Sequence, residues 1–595
     1  MQRIATYFAL FGLSLLAFDA LGQGIAPYLE YRKRIEAVQN ITPLDNGLFG
    51  DKVSNYDGST HFSVTDIDIP GNNGMPVKLV RYLSVETQPQ SMISTVYDTR
   101  LRGIGNWNVD VPYMAATYPS QASWSAQRCS AGVVPDYMIG YFRKDEYWFG
   151  VTVHLPERGN TSVLGLYPDV PHPSSGGPYR LATVERDVFD CIPMQSGLSG
   201  EGFRMTTTEG LRYYFDVAVS RNAGILKKQL TDNVGVMIPM TLPRTHYYLL
   251  ASKVEDRFGN TLQYQYNSNG HATRIWSSDG REIVLAYANG KLSSATGHGR
   301  TWQYQYDANG DLATVNLPDG SQWRYAYTGT LLPRVPSFPE LEGEWVWCSP
   351  EQGVASNNYR LQVTHPSGAT GLFQFLNSRH YRSGVHATSC IQEFYDNSGP
   401  GPGGGVTPTP TYSLVVPNYF DVMSLTSKVI SGPGTAAMTW QYDYGTDPIP
   451  LWGSHTQPAT YPCTTCTQFK TVTVTNPDGT KLRQRYGVLY WVNEGRLLQS
   501  EALDANGAVV RTEVTEYMAD ADANNQALYT DYGALLGGVS SPSVAWVRPV
   551  VKRTTTQQGR SFKWEVDKTC IVGSTTTYCF DAYARPTKVT RSSSP

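Results

Sequence analysis

Hydrophobic and polar positions alternate with a period of two along residues 254–328. In the stretches LQYQY (262–266) and WQYQY (302–306), apolar and aromatic side chains fall on one face and glutamines fall on the other. This alternation is typical of a β-strand with one buried face. The pattern therefore predicts strands, not helices, for this part of the chain.

Short turn signals separate these strands. A glycine preceded by Asn or Asp accepts the positive φ angles that a primed two-residue hairpin turn requires. Such dipeptides occur at Asn269-Gly270, Asp279-Gly280, Asn289-Gly290, Asn309-Gly310 and Asp319-Gly320. The sequence predicts a meander of antiparallel hairpins joined by primed turns.

The strand and turn pattern is written about four times. The tyrosines that close successive strands are spaced by 21, 19 and 21 residues, at Tyr266, Tyr287, Tyr306 and Tyr327. A steady period of this length is typical of repeat architectures, because one unit buries its apolar face only by stacking on its neighbours.

The repeated unit resembles the YD repeat of the Rhs family. In this unit a tyrosine is followed by Asp or Asn, a short turn, a glycine and then an apolar residue, as in YDANGDL at 306–312 and YNSNG at 266–270. Residues 48–54, 62–73 and 210–216 look like the N-terminal region of secreted bacterial Rhs proteins, and residues 580–590 are similar to a further unit. The signature positions are Tyr266, Gly270, Tyr287, Gly290, Tyr306, Asp307, Gly310 and Tyr327.

This resemblance implies an all-β fold in which one or more N-terminal β domains precede an array of antiparallel hairpins. The array is expected to form a coiled sheet that is part of a shell. In longer relatives the shell encloses and delivers a C-terminal toxin in competition between bacteria. The resemblance therefore implies a non-enzymatic scaffold of a secreted Rhs-type polymorphic toxin or delivery protein, whose partner is a downstream toxin domain or a target-cell surface.

Two other functions stay open. Cell-surface teneurins carry the same repeats, so the alternative is an adhesion or carbohydrate-binding protein. A hydrolase acting at the cell surface is a third hypothesis, and it predicts a polar pocket with perturbed titratable groups.

The pattern divides the chain into five segments. A signal peptide is predicted over 1–22, an N-terminal β region with a short amphipathic helix at Pro27–Ile41 over 23–250, and the repeat array over 251–330. Degenerate repeats with a Gly/Pro-rich insertion at 399–410 are predicted over 331–470, and a second repeat segment over 471–595. Because a repeat array needs caps, the uncapped second segment is expected to be either a fragment of a longer protein or the product of a truncated reading frame.

The N-terminus predicts export. An apolar run from Ile4 to Phe18 follows Arg3 and precedes small residues at 20–22, as in a cleaved secretory signal. The run is short for a membrane anchor, and no later stretch is long and apolar enough to span. The protein is therefore predicted to pass through the periplasm to the cell surface or the medium, with no integral membrane segment after cleavage.

Composition limits the partners. The net charge is −3 and the pI is about 6.4, so no basic field favours nucleic acid or an anionic membrane. The 39 tyrosines and 55 glycines fit a protein of many strands and turns.

Eight cysteines in an exported chain predict disulfides. Sequence neighbours suggest the pairs Cys129–Cys191, Cys348–Cys390 and Cys570–Cys579, although the sequence does not choose among connectivities. Cys463-Thr-Thr-Cys466 is interpreted as a structural disulfide, with half a zinc site or a redox motif as alternatives. No second Cys or His pair follows at metal spacing.

No pattern predicts a catalytic residue, a cofactor site or a metal site. The histidines are scattered, and HExxH, GxSxG and phosphate-loop motifs are absent from the sequence. A triad assembled from distant segments stays open. Residues 520–525 resemble the start of a calcium loop, but Asn525 replaces the usual glycine, which favours a solvated turn.

The aromatic residues of the array admit two interpretations. Trp302, Trp323, Tyr325 and Tyr327 could stack on sugar rings or on a partner, or they could fill the core of a large sheet. Packing in the core explains them with fewer assumptions, so we favour that interpretation.

Overall fold

The structure is a computed structural model, and its contacts divide the chain into two units, Met1–Leu48 and Phe49–Pro595. The second unit is described below. The structure describes residues 47–71, 75–85, 99–122, 124–135, 138–139, 142–143, 148, 150–156, 158–166, 176–183, 185–231, 237–329, 358–381, 383, 419–445, 466–489, 492–523, 532–533, 548–581 and 584–594.

The described part of the second unit consists almost wholly of β-strands, which confirms the predicted fold class. One short helix, α1, spans Asp520–Ala523. The first fifteen strands are β1 Asp51–Val53, β2 Thr60–Ile69, β3 Val77–Val85, β4 Gly103–Ile104, β5 Trp107–Val109, β6 Tyr113–Pro119, β7 Met138–Ile139, β8 Phe142–Arg143, β9 Val151–Leu155, β10 Gly159–Leu166, β11 Leu181–Ala182, β12 Val188–Pro193, β13 Glu201–Thr206, β14 Arg212–Thr231 and β15 Met237–Glu255.

The remaining strands continue to the end of the described residues. They are β16 Thr261–Tyr266, β17 Ala272–Ser277, β18 Glu282–Ala288, β19 Lys291–Gly297, β20 Arg300–Tyr306, β21 Leu312–Asn316, β22 Gln322–Gly329, β23 Asn358–Thr364, β24 Thr370–Tyr381, β25 Tyr419–Gly432, β26 Thr435–Asp443, β27 Phe469–Thr475, β28 Lys481–Gly487, β29 Leu497–Leu503, β30 Val509–Tyr517, β31 Tyr532–Gly533, β32 Val550–Gln557, β33 Arg560–Val566, β34 Cys570–Val572, β35 Thr575–Thr577 and β36 Val589–Ser594.

The first five strands form a separate sheet, the N-terminal sheet, in the order β1-β2-β3-β5-β4. Strand β3 alternates strictly between buried and half-buried residues, so Val77, Leu79, Leu83 and Val85 lie on one face. Arg81 lies on the same face and is completely buried. A charged residue in this row indicates a specific partner beneath it.

Eight strands form a small barrel. β6 pairs with both β9 and β15, and successive pairings from β9 through β10, β11, β12, β13 and β14 to β15 complete the circuit. Its interior is filled with apolar side chains, including Trp124, Trp148, Phe203 and Phe215. The barrel is therefore a packed core of its own.

The repeat array leaves the barrel without a break in the sheet. β15 pairs with β16, and antiparallel pairs then follow in chain order through β30 and on to β32, β33 and β36. The boundary predicted at residue 250 falls inside β15, because that strand belongs to the barrel at one end and to the array at the other. The boundary predicted at residue 470 likewise falls inside β27.

The predicted turn type is wrong at four of the five dipeptides. Both residues have positive φ only at Asn289 (51°) and Gly290 (75°); elsewhere only the glycine does. At residues 307–311, the Gly310 N–H donates to the Asp307 carbonyl and the Asp307 N–H donates to the Asp311 carbonyl. This is a longer hairpin loop in which a left-handed glycine follows an ordinary turn.

Several predictions lie outside the described residues. They are the signal peptide at 1–22, the helix at Pro27–Ile41, the insertion at 399–410, and the cysteines Cys348, Cys390 and Cys463. Within the described ranges, no helix is long and apolar enough to cross a membrane.

Candidate functional site

The signature tyrosines tie each repeat to the strand before it. In every one of the four predicted units, the tyrosine hydroxyl donates to a buried backbone carbonyl 14 or 15 residues earlier. The pairs are Tyr266 to Ala251 (2.8 Å), Tyr287 to Ala272 (2.9 Å), Tyr306 to Leu292 (2.6 Å) and Tyr327 to Leu312 (2.9 Å). The repeat signature therefore has a structural role at these positions.

A β-bulge accompanies three of these tyrosines. The strand register shifts immediately before Tyr266, Tyr287 and Tyr306. A bulge places one extra residue in one strand and re-aims the neighbouring side chain. At these three positions the bulge accompanies the bond from the tyrosine to the preceding strand, whereas Tyr327 makes the same bond without a register shift.

The acidic residue of the signature caps the turn. The Asp307 carboxylate accepts the backbone N–H groups of Asn309 and Asp311, both at 2.9 Å. Asp504 makes the same pair of bonds in the second repeat segment, to Asn506 and Ala508. Turn chemistry accounts for these carboxylates.

The N-terminal sheet lies on one face of the array, which we call the inner face. Trp107 Nε1 donates to Tyr327 Oη at 2.9 Å, and Asn106 Oδ1 accepts from the Leu312 N–H at 3.2 Å. The ring of Phe62 meets Phe373 edge-on at 4.7 Å between centroids. The inner face is therefore an internal packing surface along much of the array.

A buried cation is the centre of this contact. Arg81 Nε lies 3.0 and 2.9 Å from the two oxygens of Asp66, and Nη1 lies 2.5 Å from the hydroxyl of Tyr325. Both members of the ion pair are fully buried. Tyr304 adds a hydrogen bond to Asp66 at 2.8 Å. Two residues of the N-terminal sheet and two of the array thus form one network.

Aromatic rings surround the guanidinium. Its central carbon lies 5.1 Å from the rings of Trp107 and Tyr325 and 5.6 Å from that of Trp323. Burial alone would lower the pKa of Arg81, but the charges of Asp66 and Tyr325 and the hydrogen bonds to both residues together raise that pKa. The arginine is therefore a permanent cation in an aromatic cage.

The aromatic residues of the array are placed as the core interpretation expects. Trp323 and Tyr325 are buried, with exposed fractions of 7% and 6%, while Trp302 and Tyr327 are half-buried. Sequence analysis did not identify Arg81 or Asp66. The available signal was a charged residue at a buried position of the β3 alternation.

A second buried cluster brings together a serine, a histidine and a lysine from distant segments. His380 Nε2 lies 3.1 Å from Ser424 Oγ, and Lys470 Nζ lies 3.0 Å from His380 Nδ1. Ser424 Oγ donates to the carbonyl of Asp57 at 2.6 Å. The geometry invites comparison with a catalytic triad.

The direction of the hydrogen bonds in this cluster does not allow His380 to act as a base for Ser424. Burial lowers the pKa of Lys470 to about 8, so the lysine is protonated at neutral pH and donates to His380 Nδ1. Nε2 then carries the ring proton and cannot accept one from Ser424. Ser424 and His380 are also 0% and 2% exposed. This cluster gives a substrate no access.

His154, His246, His271 and His365 have structural partners. His154 lies between the rings of Tyr82 and Tyr113 and contacts Asp110 at 2.7 Å. His246 contacts Thr117 at 2.8 Å, and burial lowers the pKa of His246 to about 4. His365 contacts Ser367, and His298 occupies a turn with a φ of 51°.

Two of the predicted disulfides are present, Cys129–Cys191 and Cys570–Cys579. Cys466 is also disulfide-bonded, which removes it as a zinc ligand. Glu201 lies close to the first disulfide, but its carboxylate accepts the N–H groups of Cys129 and Ser130. The group therefore has no thiolate to offer a metal.

The candidate calcium segment begins as a helix. Residues 520–523 form α1, and Asp522 accepts a hydrogen bond from Lys568 at 2.6 Å. A lysine ammonium occupies this carboxylate where a calcium ligand would be needed. Asn525 lies outside the described residues.

The inner face changes character along the array. Directly paired residues share a face, and one such row runs Val472, Gln484, Ser500, Glu513, Thr555, Phe562 and Ser593. Val472 is fully buried. Gln484 Oε1 accepts a hydrogen bond from Asn55 Nδ2, in the loop between β1 and β2, at 2.8 Å. Phe562 is 48% exposed, and all six residues of β36 are exposed.

The opposite face of the same strands is also accessible. Its paired row, Arg485, Gln499, Val514, Thr554, Lys563 and Ser592, contains no buried residue. From β29 onward neither of these two rows contains a buried residue, although Leu503, Val551 and Val566 are buried at other positions of the strands. The sequence signal was the loss of apolar residues at alternate positions, as in RTEVTE at 511–516.

Comparison with known proteins identifies the repeat. Residues 287–322 match the family model of the RHS repeat. No curated protein matches the chain. Among solved structures, the chain is similar to the TcdB2-TccC3-Cdc42 complex at 8% identity and a TM-score of 0.24, over 87% of this chain and 35% of the other.

A second solved structure with similarity is the Tc holotoxin pore of Photorhabdus luminescens with a TccC3 mutation. It matches at 10% identity and a TM-score of 0.11, over 81% of this chain and 28% of the other. The chain thus spans about a third, or less, of the solved chains it matches. The matched segment contains Tyr287 and Tyr306, whose hydroxyl bonds recur in the flanking units, and the chain therefore contains an RHS repeat at residues 287–322.

Proposed function

We propose that this chain is a non-enzymatic wall segment of a shell that carries a polypeptide in a secreted toxin-delivery protein. The observation that carries the proposal is the change along the inner face. The N-terminal sheet contacts that face as far as β28. From β29 onward most described strand residues of the sheet are exposed or half-buried, and its buried strand residues are Leu503, Val551 and Val566.

A sheet with one apolar face must cover that face with another layer. The strands from β29 to β36 need little cover, because charged and hydroxyl side chains occur on both faces and a small cluster of Met518 and Val551 buries apolar surface locally. Arg511 and Glu513 lie on the inner face and form an ion pair at 3.2 Å. A sheet of this kind is suited to stand between two aqueous spaces, an outside and a lumen.

Export is part of the same proposal. Two disulfides lie within the described residues, and disulfides persist mainly in oxidising compartments. The predicted signal peptide at 1–22 agrees with this location. The hydroxyl bonds of the four signature tyrosines and the buried Arg81 network stabilise the sheet, as a shell outside the cell requires.

A protease-protection assay tests the proposal. The same unstructured reporter peptide is fused after Pro595 in one protein and before Phe49 in another, and proteinase K digestion of the two is compared. A lumen predicts that the C-terminal reporter is cut more slowly, on the order of tenfold, since cleavage follows the accessible population. Equal digestion rates would contradict enclosure.

Binding measurements distinguish the alternative. If the chain is an adhesion or carbohydrate-binding protein, both fusion proteins are expected to bind cells or glycans after their reporters have been digested. Saturable binding to cells together with equal digestion would favour adhesion over delivery.

A further inference from the structure

A lysine and an aspartate meet in the buried contact between the N-terminal sheet and the array. Lys428 Nζ on β25 lies 2.5 Å from Asp51 Oδ2 on β1. The side chains are 1% and 2% exposed. The two residues are 377 positions apart in the chain, so only the folded structure brings them together.

The surroundings of the pair are aromatic. Lys428 Nζ lies 5.3 Å from the ring of Trp440 and 5.7 Å from that of Phe373. Tyr442 is close enough that the charge of Asp51 adds to burial in raising the pKa of Tyr442. The phenol beside the carboxyl therefore keeps its proton.

The other described lysine–carboxylate pairs differ in exposure. Side chains in the pairs Lys253–Glu255, Lys552–Glu516 and Lys568–Asp522 are between 19% and 49% exposed. Water stabilises those pairs as ions. The Lys428–Asp51 pair lacks that solvation, and in such a site proton transfer to give an amine and a carboxylic acid removes both charges.

We propose that Lys428 and Asp51 form an intramolecular isopeptide bond. The lone pair of the neutral Lys428 Nζ forms a bond to Cγ of the protonated Asp51 carboxyl, and one Cγ–O bond breaks. The departing hydroxyl takes a proton from Nζ and leaves as water. No electron is gained or lost, and no other reactant is needed.

The geometry supports this reaction in two ways. A desolvated lysine is a better nucleophile than a hydrated ammonium. Holding the amine and the carboxyl in contact replaces a bimolecular encounter, for which effective molarities reach about 10⁵ M or more. The product amide would join the first strand of the N-terminal sheet covalently to the array. This inference depends on the Lys428 contact alone and stands apart from the proposed delivery function.

Mass spectrometry of the exported, purified chain tests the proposal. Disulfides are reduced and alkylated, and the intact mass is compared with that of the Lys428→Met variant after allowing for the substitution. The expected result is the loss of one water in the unsubstituted chain and a tryptic product that links the Asp51 and Lys428 peptides. Full mass with both peptides unlinked would overturn the proposal.

Further variants make the assignment specific. Asp51→Asn is expected to give the same linked product with loss of ammonia instead of water, whereas Lys253→Met leaves the linkage intact. A cyclic imide at Asp57-Gly58 would cause the same loss of one water, but trypsin would still cleave after Lys428. A loss of water with cleavage after Lys428 would therefore also overturn the proposal. The linked-peptide search uses the unsubstituted chain, so it decides the question even where Lys428→Met fails to fold.

Discussion

Replacing Arg81 with methionine tests whether the buried network holds the N-terminal sheet on the array. The substitution keeps the volume of the side chain roughly but removes two bonds to Asp66 and one to Tyr325. Asp66 is then left as a buried carboxylate with no cation. Removing one partner of a buried pair destabilises proteins by about 3–5 kcal/mol, and loss of the aromatic contacts adds to this.

The double variant separates the two contributions. Arg81→Met together with Asp66→Asn removes the uncompensated charge, so it is expected to recover about 1–3 kcal/mol relative to Arg81→Met alone. Arg511→Met is the control, because the side chains of Arg511 and its partner Glu513 are 51% and 38% exposed. Its expected effect is about 1 kcal/mol or less.

Hydrogen exchange of the peptides covering β3 and β22 measures the effect locally. Loss of 3–5 kcal/mol would raise the exchange rate of protected amides by roughly two to four orders of magnitude, at about 1.4 kcal/mol for each factor of ten. An effect of Arg81→Met no larger than that of Arg511→Met would refute the reasoning. So would a double variant as unstable as the single one.

Three further predictions follow from the repeat bonds, the buried histidine and the disulfide. Tyr306→Phe is expected to destabilise by about 0.5–1.5 kcal/mol, since its bond to a backbone carbonyl is lost; urea denaturation with Phe562→Leu as an exposed control measures this. Burial lowers the pKa of His380 to about 3 from 6.5, so the unfolded chain binds a proton first and stability falls as the pH drops from about 6.5 towards 3. The contribution of this residue to the free energy of unfolding is expected to fall by about 2 kcal/mol between pH 7 and pH 5. If the urea midpoint of His380→Gln fell as steeply with decreasing pH as that of the unsubstituted chain, the prediction would be contradicted. Replacing Cys129 and Cys191 by alanine opens a link across 62 residues and is expected to cost about 4 kcal/mol by loop entropy, measured as a shift in the thermal transition; no shift would count against that account.

The repeat array was predictable because its signal is local. Alternation in the 262–266 and 302–306 stretches fixes which face is buried, and the spacing of the tyrosines fixes the unit. The turn type was missed because Asn-Gly and Asp-Gly fit two kinds of loop. The choice depends on bonds such as Asp307 to Asp311, which involve residues on both sides of the dipeptide.

The buried contact between the N-terminal sheet and the array was not predictable from patterns of one segment. Arg81 and Tyr325 are 244 residues apart, and Lys428 and Asp51 are 377 apart. No local period encodes such a pairing. The alternation of β3 shows that Arg81 falls on a buried face, but only the three-dimensional structure supplies Asp66 and the aromatic rings around it.

The docking of the N-terminal sheet has a consequence for the order of folding. Residues 51–109 are synthesised before the array, yet their contacts extend to Gln484, which lies 429 residues beyond Asn55. Closing so long a segment in one step carries a large entropic penalty and slows folding. A chain that instead adds each hairpin as it is synthesised, against a template made at the beginning, divides that search into steps of about 20 residues. The N-terminal sheet would then be the template on which the strands of the array assemble in turn.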